Sequence, residues 1–125
     1  MTEIDELEGK ALAEAVALAQ DWLSVPRVGI WCRPSYWLTT DDLSVDAEDY
    51  RPDLNIAQAW ELDGEGWSWG THGGIVGLDV VVGWRLRGGF RSYTSWVLWA
   101  DFPTKANAYA TARCRAFLKA KAASR

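Results

Sequence analysis

Apolar residues at Ile4, Leu7, Ala11, Leu12, Ala15, Val16, Ala19, Trp22 and Leu23 recur at spacings of three and four, which predicts an amphipathic helix at the start of the chain. Thr2 is placed to cap it, Glu3, Asp5 and Glu6 lie in a first turn where the helix dipole favours negative charge, and Pro26 ends it. The pattern then dissolves. Residues 27–39 are rich in aromatic and β-branched types but contain Pro34 and keep no period, so only one short edge strand is expected there. Residues 41–53 hold six acids and read as a solvated loop. Asp53 is expected to cap a short helix over 54–63, with Ile56, Ala59 and Trp60 on its apolar face and Gly64 beyond its end.

Period two takes over in the second half. From 75 to 87 the even positions Val76, Leu78, Val80, Val82, Trp84 and Leu86 are apolar, which predicts a strand with one buried face. Gly88-Gly89 reads as a two-residue hairpin turn, which would pair Arg87 with Phe90, Trp84 with Tyr93, Val80 with Val97 and Leu78 with Trp99. The opposite face carries Val81, Trp96 and Leu98 and is too apolar to be left open to water. Trp67 and Trp69, before a glycine-rich turn over 70–74, suggest a further strand. After Pro103, Thr104 caps a closing helix with Ala108, Tyr109, Ala112, Arg113, Ala116, Phe117 and Ala120 at helical spacing. The expected fold is therefore α+β: a three-layer α/β/α sandwich in one domain over 1–125, with a central antiparallel sheet of three to four strands and N-terminal, middle and C-terminal helices.

Composition and charge narrow the function classes. The chain holds nine Trp, each bringing a large apolar area and an indole N–H that needs a partner when buried, so some are expected at the surface. Residues 1–65 carry 15 acids and 4 bases, and residues 66–125 carry 2 acids and 9 bases. Such a polarised chain either neutralises itself on folding or shows partners two faces of opposite sign. A sequence pI near 4.9 argues against direct nucleic-acid binding. The acidic start and the lack of a 20-residue apolar run point to a cytoplasmic protein, neither secreted nor membrane-bound. Cys32 and Cys114 fit neither a disulfide framework nor a metal motif and are expected to be reduced thiols.

Candidate chemistry is sparse. His72 is the lone histidine, and a base needs a nucleophile and an orienting group that the sequence does not identify, so no catalytic residue is assigned. The glycines at 70, 73, 74 and 77 lack the lysine and following helix of a phosphate loop, and the acids of 41–53 lack calcium-loop spacing, so no cofactor and no metal is expected. The residues suited to binding are aromatics beside arginine. They are Trp31, Tyr36 and Trp37 flanked by Arg27 and Arg33, then Trp67, Trp69 and His72. These types are enriched in binding hot spots, and could stack on a base while Arg27, Arg33, Arg85, Arg87 or Arg91 meets phosphate. The plainer account of the same aromatics is a satellite core beneath the long loop.

Two stretches carry a resemblance. DLNIAQAWEL at 53–62, with Ala57, Ala59 and Trp60, and ATARCRAFLKA at 110–120, with Ala112, Cys114, Arg115, Ala116 and Leu118, resemble the phage ABA sandwich domain. The 36–52 loop and the Trp-rich sheet depart from that family's pattern. The resemblance implies a small phage or prophage accessory protein with α/β/α layering and no catalytic residues to carry over. The expected role is non-enzymatic: binding and inhibiting a host protein of antiviral defence, such as a CRISPR complex, with a homo-oligomer possible. The alternatives are a binder that sequesters a nucleotide immune signal, and a small hydrolase using His72.

Overall fold

The computed structural model describes residues 4–26 and 35–124. The chain is α+β, with two three-stranded antiparallel sheets and three helices among the described residues. Helix α1 (Gly9–Ala19) is shorter than the apolar period predicts. Ile4–Glu6 form a separate 3-10 turn, and Gly9 takes a φ of 61°, a left-handed conformation that glycine adopts without strain. At the far end Asp21 (φ 64°) turns the chain out of the helix, and Leu23 lies in strand β1 (Leu23–Val25). The expected cap at Thr2 lies outside the described residues.

Strands β2 (Tyr36–Leu38) and β3 (Ser44–Asp46) complete a small sheet in the order β1-β2-β3. Two expectations are corrected here. The strand in 27–39 is the central one and not an edge, and the acidic stretch 41–53 contains β3 and ends in the buried Tyr50, Pro52 and Asp53. Asp53 does not cap helix α2 (Ile56–Trp60) either. Its carboxylate takes a two-point contact from Arg51 at 3.0 and 2.8 Å. The cap is Asn55, whose Oδ1 accepts from the backbone N–H of Ala57 and Gln58. Of the face drawn at Ile56, Ala59 and Trp60, only Ala59 is buried.

The large sheet has the order β4-β5-β6: β4 (Ser68–Gly73), β5 (Gly77–Leu86) and β6 (Gly89–Leu98). Strand β4 runs through Gly70 and His72, so the predicted turn over 70–74 is shortened to the link after Gly73. The hairpin turn is Arg87-Gly88, with Gly88 at φ 88°, and not Gly88-Gly89. Leu86 therefore faces Gly89, Trp84 faces Arg91, Val82 faces Tyr93 and Leu78 faces Val97, two residues away from the expected register. A shift of two keeps every side chain on its predicted face.

Helix α3 (Lys105–Ser124) organises the whole molecule. Thr104 accepts the Asn107 N–H at its N-terminus, as its position predicts. Ala108, Ala112, Ala116 and Ala120 are fully buried against Leu78, Val80, Val82 and Val97. Side chains this small let the helix axis come close to the sheet. A second cluster gathers Cys114, Phe117 and Leu118 with Leu12, Val16, Ala17, Trp37, Tyr50 and Leu62, so α3 joins β5 and β6 to α1 and α2. Trp67 and Trp69 pack against both clusters.

Candidate binding surface

The hairpin outlasts its core. Residues 85–92 are all exposed, because the strands continue past the part of the sheet that α3 covers. Within this end stand Arg85, Arg87 and Arg91, none of which makes an ion pair or hydrogen bond among the described residues. Leu86 and Phe90 lie beside them, with Phe90 63% exposed. Strand alternation puts Leu86 and Arg91 on the side that faces α3 further down, and Arg85 and Phe90 on the opposite side.

That opposite, outer face continues down the sheet. Its cross-strand rows are Arg85 with Phe90, Gly83 with Ser92, Val81 with Thr94, and Asp79 with Trp96, which is 53% exposed. The Phe90 ring lies over Gly83 and the Trp96 ring over Gly77, each occupying the space where a side chain would begin. Those two positions are glycine because an aromatic ring crosses diagonally above the backbone. His72 is on this face too, directly across from Asp79, in a shallow cleft with Gly74, Val76 and Trp96. The His72 and Asp79 side chains make no hydrogen bond among the described residues, and no hydroxyl or thiol lines the cleft.

The other aromatic candidates go to the interior. Trp37 is buried in the small sheet, and Tyr36 is half-buried. Trp67 stacks on Trp84 at 5.3 Å between ring centres, and Trp69 donates its indole N–H to Asp63 at 3.1 Å. Trp67 and Trp69 are therefore not gathered with His72, whose side chain points to the other face of the pleat. Trp31, Arg33 and Arg27 lie outside the described residues, as does Cys32. Cys114 is buried, and burial pushes its thiol well above the ordinary range.

A residue not singled out as a site candidate has the most demanding environment. Arg113 is 2% exposed, and its guanidinium donates to the carbonyls of Ala59 (2.7 Å), Leu62 (3.0 Å) and Trp60 (3.4 Å), closing the C-terminal end of α2. It lies 3.8 Å from the centre of the Trp69 ring and 4.7 Å from that of Trp60. Nη1 is buried without a partner among the described residues. The sequence signal was its place between the apolar positions of a helix, where an arginine needs acceptors.

Between α1 and the small sheet lies a pocket of about 360 Å³ over Trp37 and Tyr50, with Lys10, Glu14, Glu48 and Arg51 among its lining residues. Its charges balance, and it has no group set apart for chemistry. No group of three or more His, Cys, Asp or Glu that could hold a metal occurs among the described residues. No described helix is long and apolar enough to cross a membrane. Comparison with family models, with curated proteins and with solved structures finds no match to this chain.

Proposed function

We propose that this chain is a phage-encoded accessory protein without enzymatic activity that binds and inhibits a host protein, a component of antiviral defence, in the host cytoplasm. The observation that carries the binding role is the exposed end of the β5-β6 hairpin, where Leu86, Arg87 and Arg91 offer an apolar centre and unpaired guanidinium groups on a projecting arm. Arginine beside exposed apolar area is a common composition of binding hot spots, and free guanidinium groups fit an acidic partner surface. The phage origin and the choice of a defence protein rest on the resemblance at 53–62 and 110–120. The reading of 1–125 as one such domain belongs to the same proposal.

The test is capture of host proteins by the tagged chain from a lysate of a susceptible bacterium, identified by mass spectrometry. A stoichiometric host protein that is retained by the wild type and lost with R87E/R91E supports the reading. Retention of no host protein removes its main support. A nucleotide extracted from the purified chain, with no protein partner, would instead favour sequestration of a signal.

A further inference from the structure

We infer that the outer face of the large sheet is a twofold interface between two copies of this chain. The face bears the exposed rings of Phe90 and Trp96, the half-buried Val81 and Leu98, and two backbone stretches at Gly77 and Gly83 covered only by those rings. An antiparallel sheet with so apolar an exposed face normally packs against a second layer.

The order of residues on the face says what that layer is. Going down the hairpin, the row Arg85–Phe90 comes first and the row Asp79–Trp96 comes six residues later on β5, with Gly83–Ser92 and Val81–Thr94 between. A twofold axis lying between two stacked sheets and running across the strands at the middle of this block exchanges its ends. It sets Arg85 of each copy over Asp79 of the other, and Phe90 over Trp96. Each copy thus offers a cation where the other offers an anion, and a ring where the other offers a ring. Stacked sheets sit roughly 10 Å apart, a gap that an arginine reaching toward a carboxylate spans.

Within one chain Arg85 and Asp79 cannot serve each other, being about 20 Å apart along the strand. The face measures at most about 33 by 14 Å, from strand rise and strand spacing. That is small for a specific interface, so the dimer is concentration-dependent and not obligate. Its contacts use the outer side of the hairpin and leave Leu86 and Arg91 on the other side free, so this inference does not depend on the proposed host partner.

Sedimentation velocity of the full chain from low to hundreds of micromolar tests it. The wild type is expected to pass from monomer to dimer, with no larger species, because a twofold interface closes on itself. R85D and D79R each set like charges together twice and are expected to weaken association by about tenfold or more, while D79R/R85D returns it to within about threefold of the wild type. F90S, at a position already exposed, weakens it without altering a charge and stands in should D79R fail to fold. A chain that stays monomeric throughout, a dimer indifferent to these variants, or open-ended assembly would each overturn the inference.

Discussion

Arg113 has no carboxylate partner among the described residues, and what stabilises it is three carbonyls and two indole faces. Hydrogen bonds from a charged donor are worth more than neutral ones, and truncation also strands the buried acceptors. Arg113→Ala should therefore cost about 3 kcal/mol or more, read as a lower urea midpoint, and Arg113→Lys should recover only part because an ammonium cannot fork to several carbonyls. Tyr50 and Cys114 make a second residue-scale prediction. Burial is the largest cause raising both above their ordinary values of 10.0 and 9.0; the hydrogen bond from Gln20 opposes it at Tyr50, and Arg113 and Arg115 oppose it at Cys114. Both groups are neutral when protonated, so the folded chain holds its protons more tightly than the unfolded one. Their contribution is fully present below pH 9 and is lost as pH rises above it. Urea midpoints should fall from neutral to strongly alkaline pH, and Cys114→Ala with Tyr50→Phe should flatten that fall.

Elements with a long period were legible, and elements without one were not. Alternation over thirteen residues marked β5, and the alanine spacing marked α3 together with its cap at Thr104. The turn was misplaced by one residue because Gly88 and Gly89 both suit it, and only Gly88 adopts the positive φ. The three-residue strands of the small sheet are too short to show alternation, and β3 sits in a run of acids while its backbone pairs with β2. Asn55 and Asp53 compete for one cap, and the buried contact to Arg51 removes Asp53 from that role. The alanine stripe yields a prediction at this scale. Ala116 has no room against the large sheet, so Ala116→Leu should destabilise by about 2 kcal/mol in urea unfolding through overpacking.

At the scale of the molecule, the charge polarity was plain in the sequence, and what the fold adds is its placement. Arg113, Arg115 and Lys119 of the basic half are consumed by the acidic half: Arg113 and Arg115 donate to backbone carbonyls from Leu7 to Leu62, and Lys119 pairs with Asp5 at 2.7 Å. Arg85, Arg87 and Arg91 are left over at the hairpin end. Their chemistry could be read from residue type, but their freedom from partners could not, since it depends on how far α3 extends along the sheet. The same dependence explains why Trp67 and Trp69, binding candidates by residue type, are half-buried against both hydrophobic clusters.

The position of α3 in the chain has a consequence for synthesis. It follows every other described element along the chain, yet it supplies the floor of both hydrophobic clusters and the donors that reach Leu7, Asp53, Ala59 and Leu62 across 51 to 108 residues of sequence. A nascent chain still waiting for residues 105–124 has its sheet and its first two helices exposed along their apolar sides. Folding on the ribosome is thus deferred until residues 105–124 have emerged, when one helix brings both halves together at once.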